Sequence, residues 1–277
     1  MILATSTLAR RIEHAESTLI TDFARPVQAR LGEARVFIQD IGGGTGVAAG
    51  PTAPFSKIAG LGFEPLDEVA LEAVERGFAQ RTTPVRVELS TLGDPDIGNR
   101  LTARGYRLVG FENVLGRAVA GLRTEATDVA VHPIPPDRAP EWIDIVTTAF
   151  ANPDVFDAPP SQEVVDRAAI ESAFADIAAI GSVHLYLATR DGRAAGGASM
   201  RLTDGLVQLC GAGTLPAERR RGVQTALLQY RLADAASRGC DLAIVTVQPG
   251  SVSQYNVQRQ GFELLYTRAI LVLTADS

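Results

Sequence analysis

The sequence is poor in cysteine, in lysine and in long apolar runs, and each shortage excludes a class of protein. Its 277 residues include only two cysteines, Cys210 and Cys240, which cannot form the disulfide framework of a small secreted domain. No Cys/His cluster has zinc-ligand spacing, so we expect no metal. No run of 18 apolar residues is present, and the N-terminus does not resemble a signal peptide, so we expect a cytoplasmic globular protein without a membrane partner.

The charge balance argues against a nucleic-acid partner. The formal net charge is -6 and the sequence pI is about 5.2, whereas a general nucleic-acid binder carries a clustered basic excess. Hydrophobic residues make up 46% of the chain, enough for a sizeable core. The length favours two domains, and nothing in the composition fixes an oligomeric state.

A change in composition near residues 118–140 marks a domain boundary. This stretch contains Pro133, Pro135 and Pro136 and has no strong helical period, so it reads as a linker that leads into the first strand of a second domain. We place the boundary near residue 122 and predict domains at 1–122 and 123–277.

The second half has a clear order of elements. An alternating strand at 183–190, a turn at Asp191-Gly192 and a return strand at 195–202 predict a β-hairpin. A third strand is expected at 206–215, followed by an amphipathic helix that ends near Gly239. The apolar run 242–247 predicts a buried strand, and a short helix at 252–260 precedes a β-rich segment at 262–273.

The first half repeats part of this order, which indicates two copies of one α/β unit. The strand predicted at 85–92 falls on 241–248 at an offset of 156 residues, and Gly105-Tyr106 falls on Gly261-Phe262 at the same offset. A helix at 67–81 and a strand at 58–63 complete the copy. The glycine-rich segment 42–46 lacks a lysine and is read as a turn between hairpin strands, not as a phosphate loop.

The junction between the third strand and the helix of the second copy carries the chemistry. The first N–H groups of a helix have no partner inside the helix, and with the helix dipole they form a site suited to phosphate. Gly222 allows a close approach to the backbone, and the fork-shaped side chains of Arg219, Arg220 and Arg221 add positive charge. The junction has neither a Walker-type Gly-Lys-Ser/Thr nor a GxGxxG motif, so ATP and NAD are disfavoured.

This junction resembles the pyrophosphate motif of the GCN5-related N-acetyltransferase (GNAT) superfamily, Arg/Gln-x-x-Gly-x-Gly/Ala. Pro216-x-x-Arg219-x-x-Gly222-x-Gln224 has that spacing and departs at its last position, where the superfamily usually has a small residue. The resemblance covers roughly residues 127–277. It implies an α/β (α+β) fold with two GNAT-like domains, each a mixed, mostly antiparallel sheet flanked by helices, of tandem type with a degenerate N-terminal copy.

The resemblance also implies a reaction: transfer of an acetyl group from acetyl-CoA, used as co-substrate, to a primary amine of a small molecule or peptide. It implies that Gly213, Thr214 and Leu215 pair with the pantetheine and polarise the thioester carbonyl. The pyrophosphate would be held around the three arginines and by the backbone of Gly222, Val223, Gln224 and Thr225. Two alternatives stay open: a non-catalytic acyl-CoA-binding or regulatory protein, and a transferase that uses a different acyl donor.

The first copy lacks the residues of this motif. Its shorter junction, residues 64–68, contains three carboxylates and neither arginine nor glycine, and these carboxylates would repel a phosphate. We therefore expect a degenerate domain without cofactor in residues 1–122.

The proton donor is the least defined part of the site. Many GNAT enzymes have a tyrosine four residues before the closing Gly-Phe, and here that position is Val257. Two nearby hydroxyl groups, on Ser253 and Tyr255, are the candidates to protonate the leaving thiolate. Their alternative roles are a helix N-terminal residue and a surface aromatic. His184 and Cys210 are interpreted as packed residues. Trp142 and Phe150 have helical spacing, and two interpretations stay open for them: a wall of the acceptor pocket, or core packing.

Overall fold

The computed structural model describes residues 1–51, 53, 55–123, 127–152 and 167–274. It divides into two compact units. Unit 1 consists of residues 1–115, 246–249 and 264–277, and unit 2 consists of residues 116–245 and 250–263. Residues 124–126 of the predicted linker lie outside the described residues.

Unit 1 combines helices and strands in the order helix, three strands, helix, strand, helix and strand, and it takes its last strand from the C-terminal segment. Its elements are α1 (Ser6–Leu31), β1 (Phe37–Ile41), β2 (Gly44–Ala48), β3 (Lys57–Ala59), α2 (Glu68–Ala79), β4 (Val85–Ser90), α3 (Asp96–Ala103), β5 (Arg107–Ala118, of which 107–115 lie in the unit) and the C-terminal strand β11 (Glu263–Leu273, from residue 264).

Unit 2 begins with a strand and two helices, continues with three strands and ends with a helix, a strand and a helix. Its elements are β6 (Ala130–Ile134), α4 (Ala139–Ala151), α5 (Arg167–Ala178), β7 (Val183–Arg190), β8 (Arg193–Thr203), β9 (Leu206–Thr214), α6 (Val223–Ser237), β10 (Leu242–Val247, up to residue 245) and α7 (Val252–Arg259).

Each unit contains a mixed, mostly antiparallel sheet, so the predicted fold class is confirmed. In unit 1, β1–β2, β2–β3 and β4–β11 pair antiparallel and β3–β4 pair parallel. In unit 2, β6–β7, β7–β8 and β8–β9 pair antiparallel and β9–β10 pair parallel. In both units the parallel pair flanks a helix, α2 or α6, as the strand–helix–strand pattern predicts.

The internal repeat predicted from the sequence recurs in the elements. At the offset of 156 residues, α3 falls on α7, and the start of β5 falls on the start of β11. Gly105 and Gly261 both have positive φ angles, 95° and 78°, and each stands between a helix and the following strand. Glycine suits this position because it adopts a left-handed conformation without the strain of a Cβ atom.

The C-terminal strand differs from the domain assignment made from the sequence. We expected residues 123–277 to form one domain, but residues 264–277 belong to unit 1 and the second unit begins at Gly116. The reason is the ladder of β11, in which Arg268 to Leu273 pair with Ser90 to Val85 of β4. No local pattern in the sequence distinguishes a strand that pairs with its own unit from one that pairs with the other.

Each unit has its own core. In unit 1 the sheet and helices enclose a cluster that includes Leu71, Val74 and Phe78 of α2. In unit 2, Trp142 of α4 is fully buried, donates from Nε1 to the carbonyl of Ala198 at 3.0 Å, and packs edge-on against a phenylalanine of α5. None of the described helices combines the length and apolarity required to cross a lipid bilayer.

Candidate functional site

The candidate site lies in unit 2, where β9 leaves its parallel partner. The ladder between β9 and β10 joins Leu206–Gln208 to Leu242–Ile244 and extends no further in the described residues, although β9 continues to Thr214. A bulge interrupts β9 between Cys210 and Ala212, and the residue inside it, Gly211, has a φ of 33°. Bulges increase the local twist and redirect a strand, so the second half of β9 turns away from the first.

At the end of β9, one backbone amide is available to bind a ligand. The N–H of Leu215 donates to the carbonyl of Ala195 on β8 at 3.0 Å, so this predicted ligand amide is already used. Hydrogen-bonding direction alternates along an antiparallel strand, so the N–H of Gly213 points to β8 as well and the N–H of Thr214 points to the opposite edge. Of the three residues predicted here, Thr214 is therefore the one whose amide points away from β8.

The loop between β9 and α6 is held in an unusual backbone conformation. A 3₁₀ turn at Pro216–Glu218 follows the strand, and then Arg220 and Gly222 have φ angles of 60° and 77°. A left-handed non-glycine residue such as Arg220 is uncommon and points to a functional constraint. A Cβ atom built on Gly222 would meet nothing within 4 Å, so the space above its backbone is open.

The N-terminus of α6 is uncapped by any side chain. Gly222 is its N-cap residue and has no side chain to accept from the first turn. Among the described residues, no main-chain acceptor is found for the amides of 220–225, whereas the first helical hydrogen bond runs from Ala226 N–H to the carbonyl of Gly222 at 2.9 Å. Val223 is buried and Thr225 is exposed. The helix therefore presents free N–H groups and its positive dipole end to the open side.

The three arginines of the junction have different surroundings. Arg219 donates to the main-chain carbonyls of Ala149 and Asn152, at the end of α4, and so ties the loop to that helix. Arg220 is exposed. Arg221 is exposed and lies 3.5 Å from Glu218, which also binds Arg190 at 2.9 Å. The side chain of Arg220 is thus the freest of the three, and that of Arg219 has a structural partner.

Gln224, the departure from the family motif, is held by a neighbouring helix. Its Oε1 accepts a hydrogen bond from Nδ2 of Asn256 on α7 at 2.7 Å. The side chain is therefore directed at α7. The backbone N–H of Gln224 lies in the open first turn of α6, as it would if this position held the small residue of the motif.

The corresponding junction of unit 1 is closed by its own carboxylates. Asp67 is the N-cap of α2, and its side chain accepts from the N–H of Val69 at 3.0 Å. Glu68 in the first turn pairs with Arg100 and Arg104. A carboxylate therefore fills the place at α2 that stays open at α6, and a second anion would meet like charge there.

The two predicted proton donors both lie on α7 and are exposed. Ser253 is in the first turn of the helix, two residues after the N-cap Ser251, which accepts from Gln254 N–H at 3.1 Å. Tyr255 is 60% exposed and has the guanidinium of Arg259 5.6 Å from its ring centroid. Val257 is buried. Since residues four apart share a helix face, Ser253 lies nearer to the inward face than Tyr255 does.

A second polar group of unit 2 lies around the C-terminal half of α6. Tyr186 donates to Oδ2 of Asp234 at 2.5 Å, and Arg238 donates to its Oδ1 at 3.0 Å. Burial alone would raise the pKa of Asp234, but these two hydrogen bonds hold it below its ordinary value. Burial, together with the charge of Arg238, lowers the pKa of His184. These residues form a structural network on β7 and α6.

The sequence interpretation missed a buried arginine that joins α6 to β8. Arg231 of α6 is 3% exposed and donates to the carbonyls of Leu227 at 3.1 Å and Ser199 at 2.9 Å. Burial lowers its pKa to about 10. The sequence pattern that indicates its burial is its position four residues after Leu227, on the apolar face of the helix. In the part of the chain that the structure describes, no group of three His, Cys, Asp or Glu residues could hold a metal ion.

Comparison with known proteins identifies the fold of the chain and the segment that matches a family model. Residues 150–262 match the model of the acetyltransferase (GNAT) family. A GCN5-related N-acetyltransferase from Kribbella flavida is 20% identical, with a TM-score of 0.63, over 91% of this chain and 96% of that one. A tandem GNAT protein from the clavulanic acid biosynthesis pathway is 12% identical, with a TM-score of 0.57, over 90% of this chain and 87% of that one.

A third solved structure covers less of the chain. It is a GCN5-related N-acetyltransferase from Sphaerobacter thermophilus, 15% identical with a TM-score of 0.54, over 74% of this chain and 66% of that one. A search of curated proteins gave no match. The chain therefore has the GNAT fold, its segment 150–262 carries the family's sequence pattern, and the resemblance seen in the sequence is confirmed, including the likeness to a tandem protein.

Proposed function

Starting from a GNAT fold whose segment 150–262 matches the family, we propose that this protein transfers an acetyl group from acetyl-CoA to a primary amine. The acceptor is a small molecule or a peptide. The reaction takes place in unit 2, at the end of β9 and the start of α6. Unit 1 is a degenerate copy that binds no acetyl-CoA.

The observation that carries this proposal is the open N-terminus of α6. Free N–H groups at 220–225, the left-handed Gly222 and the unfilled space above it suit a pyrophosphate, which requires close contact with the backbone. The capped N-terminus of α2 gives the opposite arrangement within the same chain. This contrast supports one donor site per chain.

The amide at the end of β9 supports a role in the acyl-transfer step. In that step the amine nitrogen attacks the thioester carbon and forms a tetrahedral oxyanion, which collapses with cleavage of the C–S bond. The outward N–H of Thr214 is the donor that we assign to this oxygen, because an oriented backbone amide stabilises developing charge without reorganisation. The nitrogen loses one proton, and the leaving thiolate gains one.

The hydroxyl of Ser253 is our first candidate for protonating the thiolate, and that of Tyr255 is the second. Both are exposed on α7. Asn256 of the same helix hydrogen-bonds Gln224 in the first turn of α6. Ser253 comes first because it lies nearer than Tyr255 to the inward face of α7. Arg220 is the arginine whose side chain is free to reach a phosphate, and we assign Arg219 to shaping the loop.

A non-catalytic acyl-CoA-binding protein is the second candidate, and Val257 favours it. This residue is 5% exposed and occupies the position where many GNAT enzymes carry a catalytic tyrosine. A valine there leaves the binding surface at α6 unchanged and removes one proton donor. Binding and turnover therefore have to be measured separately.

The decisive experiment combines both measurements. Acetyl-CoA is incubated with the protein and a panel of primary amines, and released thiol is recorded, while binding is followed by the shift in unfolding temperature. We expect turnover with at least one amine and stabilisation by acetyl-CoA. Stabilisation without turnover on any amine favours the non-catalytic candidate. Stronger stabilisation by longer acyl-CoAs indicates a different donor, and no stabilisation by any of them overturns the proposal.

A further inference from the structure

Unit 2 contains a recess beside α6 that the acyl-transfer step does not use. Its volume is about 320 Å³, at the lower end of the range for ligand sites. It is formed by the end of β5 and the segment after it, the middle of α6 and the end of α7. The lining residues are Arg117, Leu122, Arg123, Gln229, Leu232, Arg259, Gln260 and Gly261.

The lining of this recess is strongly basic in an acidic protein. Arg117, Arg123 and Arg259 contribute three positive charges, no lining residue is acidic, and the chain as a whole carries a net charge of -6. No ion pair with a carboxylate involves any of these three arginines within the described ranges, whereas Arg138 and Arg167 of the same unit each pair with an acid. Guanidinium groups that share a recess repel one another unless an anion lies between them.

One of the arginines is held in place by the backbone. Nη1 of Arg117 donates to the carbonyl of Gln260, and a Cβ atom placed on Gly261 would lie 3.7 Å from Nε of the same arginine. Gly261 has a φ of 78°, which strains any other residue. The glycine that ends α7 therefore also leaves the guanidinium uncovered on that side.

We propose that this recess binds a phosphate monoester. Guanidinium groups match the geometry of phosphate oxygens, and a dianion balances most of the positive charge. The side-chain amides of Gln229 and Gln260 supply further polar contacts, and Leu122 and Leu232 provide an apolar wall for the group that carries the phosphate. A free carboxylate has one negative charge and leaves two guanidinium groups uncompensated.

Two sources can supply this phosphate. Gln229 lies six residues after Val223 on α6, about 9 Å along the helix axis, so the 3′-phosphate at the far end of an acetyl-CoA held at Gly222 is one source. That source rests on the proposed function. A separate phosphorylated ligand that controls or accompanies the reaction is the other.

The test replaces the three arginines together, as Arg117→Gln, Arg123→Gln and Arg259→Gln. The matched control changes three exposed arginines elsewhere, Arg35→Gln, Arg107→Gln and Arg193→Gln, and so removes the same charge. Affinities for CoA and for dephospho-CoA, which lacks only the phosphate monoester, are measured by calorimetry at low ionic strength. Inorganic phosphate is then titrated in the presence of saturating dephospho-CoA, with the unfolding temperature as readout.

If the phosphate belongs to CoA, the parent and control proteins bind CoA at least about tenfold more tightly than dephospho-CoA, and the recess variant loses this preference. If it belongs to a separate ligand, all proteins bind the two compounds equally, and inorganic phosphate stabilises the parent and the control but not the recess variant. Equal behaviour of all three proteins in both assays overturns the inference. Failure of dephospho-CoA to bind at all counts against the proposed function, and phosphate alone is then titrated to test the recess.

Discussion

Arg268, near the end of the described chain, donates from Nε to Oε1 of Glu13 in the first helix at 2.7 Å. Both side chains are 1% exposed. The contact belongs to a buried group within unit 1 in which Lys57, the only lysine of the protein, binds Glu16 at 2.7 Å and Glu88 at 2.8 Å. Arg86, whose side chain is 43% exposed, lies 3.7 Å from Glu88 at the margin of the group. Two buried cations thus face three buried carboxylates, and an uncompensated buried negative charge is costly, so one carboxylate is expected to hold a proton.

Glu13 is the carboxylate that we expect to hold the proton. Burial raises its pKa above the ordinary value of 4.5, against the opposing effects of Arg268 and Tyr266. Its Oε1 accepts from both of those residues, and its Oε2 is buried with no hydrogen-bond partner among the described residues. A folded state with a raised pKa binds its proton more tightly than the unfolded chain does.

The first prediction concerns stability and pH. Glu13 contributes stability that is complete below its unfolded pKa and is lost as pH rises through the raised folded value. The free energy of unfolding of the native protein minus that of Glu13→Gln is therefore expected to fall as pH increases from about 4.5 upward. Urea unfolding of both proteins at a series of pH values measures this difference. The control Glu33→Gln removes an exposed carboxylate, and an equal slope in both variants would refute the assignment.

The second prediction compares two glycines at opposite ends of α6. Gly222 and Gly239 have φ angles of 77° and 82°, and a Cβ atom on either would meet nothing within 4 Å. Replacement by alanine should therefore cost each about 1–2 kcal/mol of stability through backbone strain. Gly222→Ala is expected to weaken acetyl-CoA binding at least tenfold and Gly239→Ala to leave it unchanged, as measured by calorimetry. A similar loss in both variants would mean that strain, and not access to the backbone, limits binding.

The third prediction concerns Gln224. Its side chain binds Asn256 and its backbone N–H faces the open first turn. Gln224→Ala should therefore leave acetyl-CoA affinity within about twofold and lower the free energy of unfolding by about 0.5–1.5 kcal/mol through loss of one hydrogen bond. Asn256→Ala removes the same bond from the other side and should have a matching effect on stability. A tenfold loss of affinity in Gln224→Ala alone would instead indicate a direct side-chain contact with the donor.

The fourth prediction separates the two hydroxyl groups of α7. If Ser253 protonates the thiolate, Ser253→Ala should lower kcat by about 10²-fold with little change in the KM for acetyl-CoA, because only the transition state is affected. Tyr255→Phe should then stay within about twofold of the parent. The reverse pattern assigns the role to Tyr255. Two fully active variants would show that solvent supplies the proton.

The fifth prediction tests the packing that supports the site. Trp142→Phe leaves the buried carbonyl of Ala198 without its donor and opens a space next to Phe174, so it should cost about 2–4 kcal/mol. Phe150 contacts the same ring but is 46% exposed, and Phe150→Leu should cost less than about 1 kcal/mol. Denaturant unfolding of both variants measures the two effects. Equal costs would contradict the assignment of Trp142 to the core.

The sequence predicted much of unit 2 because its elements carry strong local signals. The strand at Val183–Arg190 and the apolar strand at Leu242–Val247 have the bounds that alternation and apolar length indicated. The helix after Gly222 was expected from its spacing. The glycine-rich segment forms the predicted hairpin turn only at Gly42–Gly43; residues 44–46, which were expected in the turn as well, begin β2. Each of these features depends on residues that are neighbours in the chain.

The features that the sequence did not predict depend on distant residues. The long helix Ser6–Leu31 was not predicted; it carries glutamates on its buried face and contains Pro26. Glu13 and Glu16 can be buried because Arg268 and Lys57, respectively, bind them, and these partners lie far away in the chain. The use of the Leu215 amide by Ala195 and the position of Arg219 on the end of α4 follow equally from tertiary contacts.

The pairing of the C-terminal strand with β4 has a consequence for the order of folding. During synthesis residues 1–115, the larger part of unit 1, leave the ribosome first; Glu88 then already has Lys57, but Glu13 lacks Tyr266 and Arg268. Until the C-terminal strand is released, this half of the chain has a buried carboxylate without these two partners and one edge of β4 unpaired. A chain that stops short of residue 264 would leave that half unfinished, however well the other half folds.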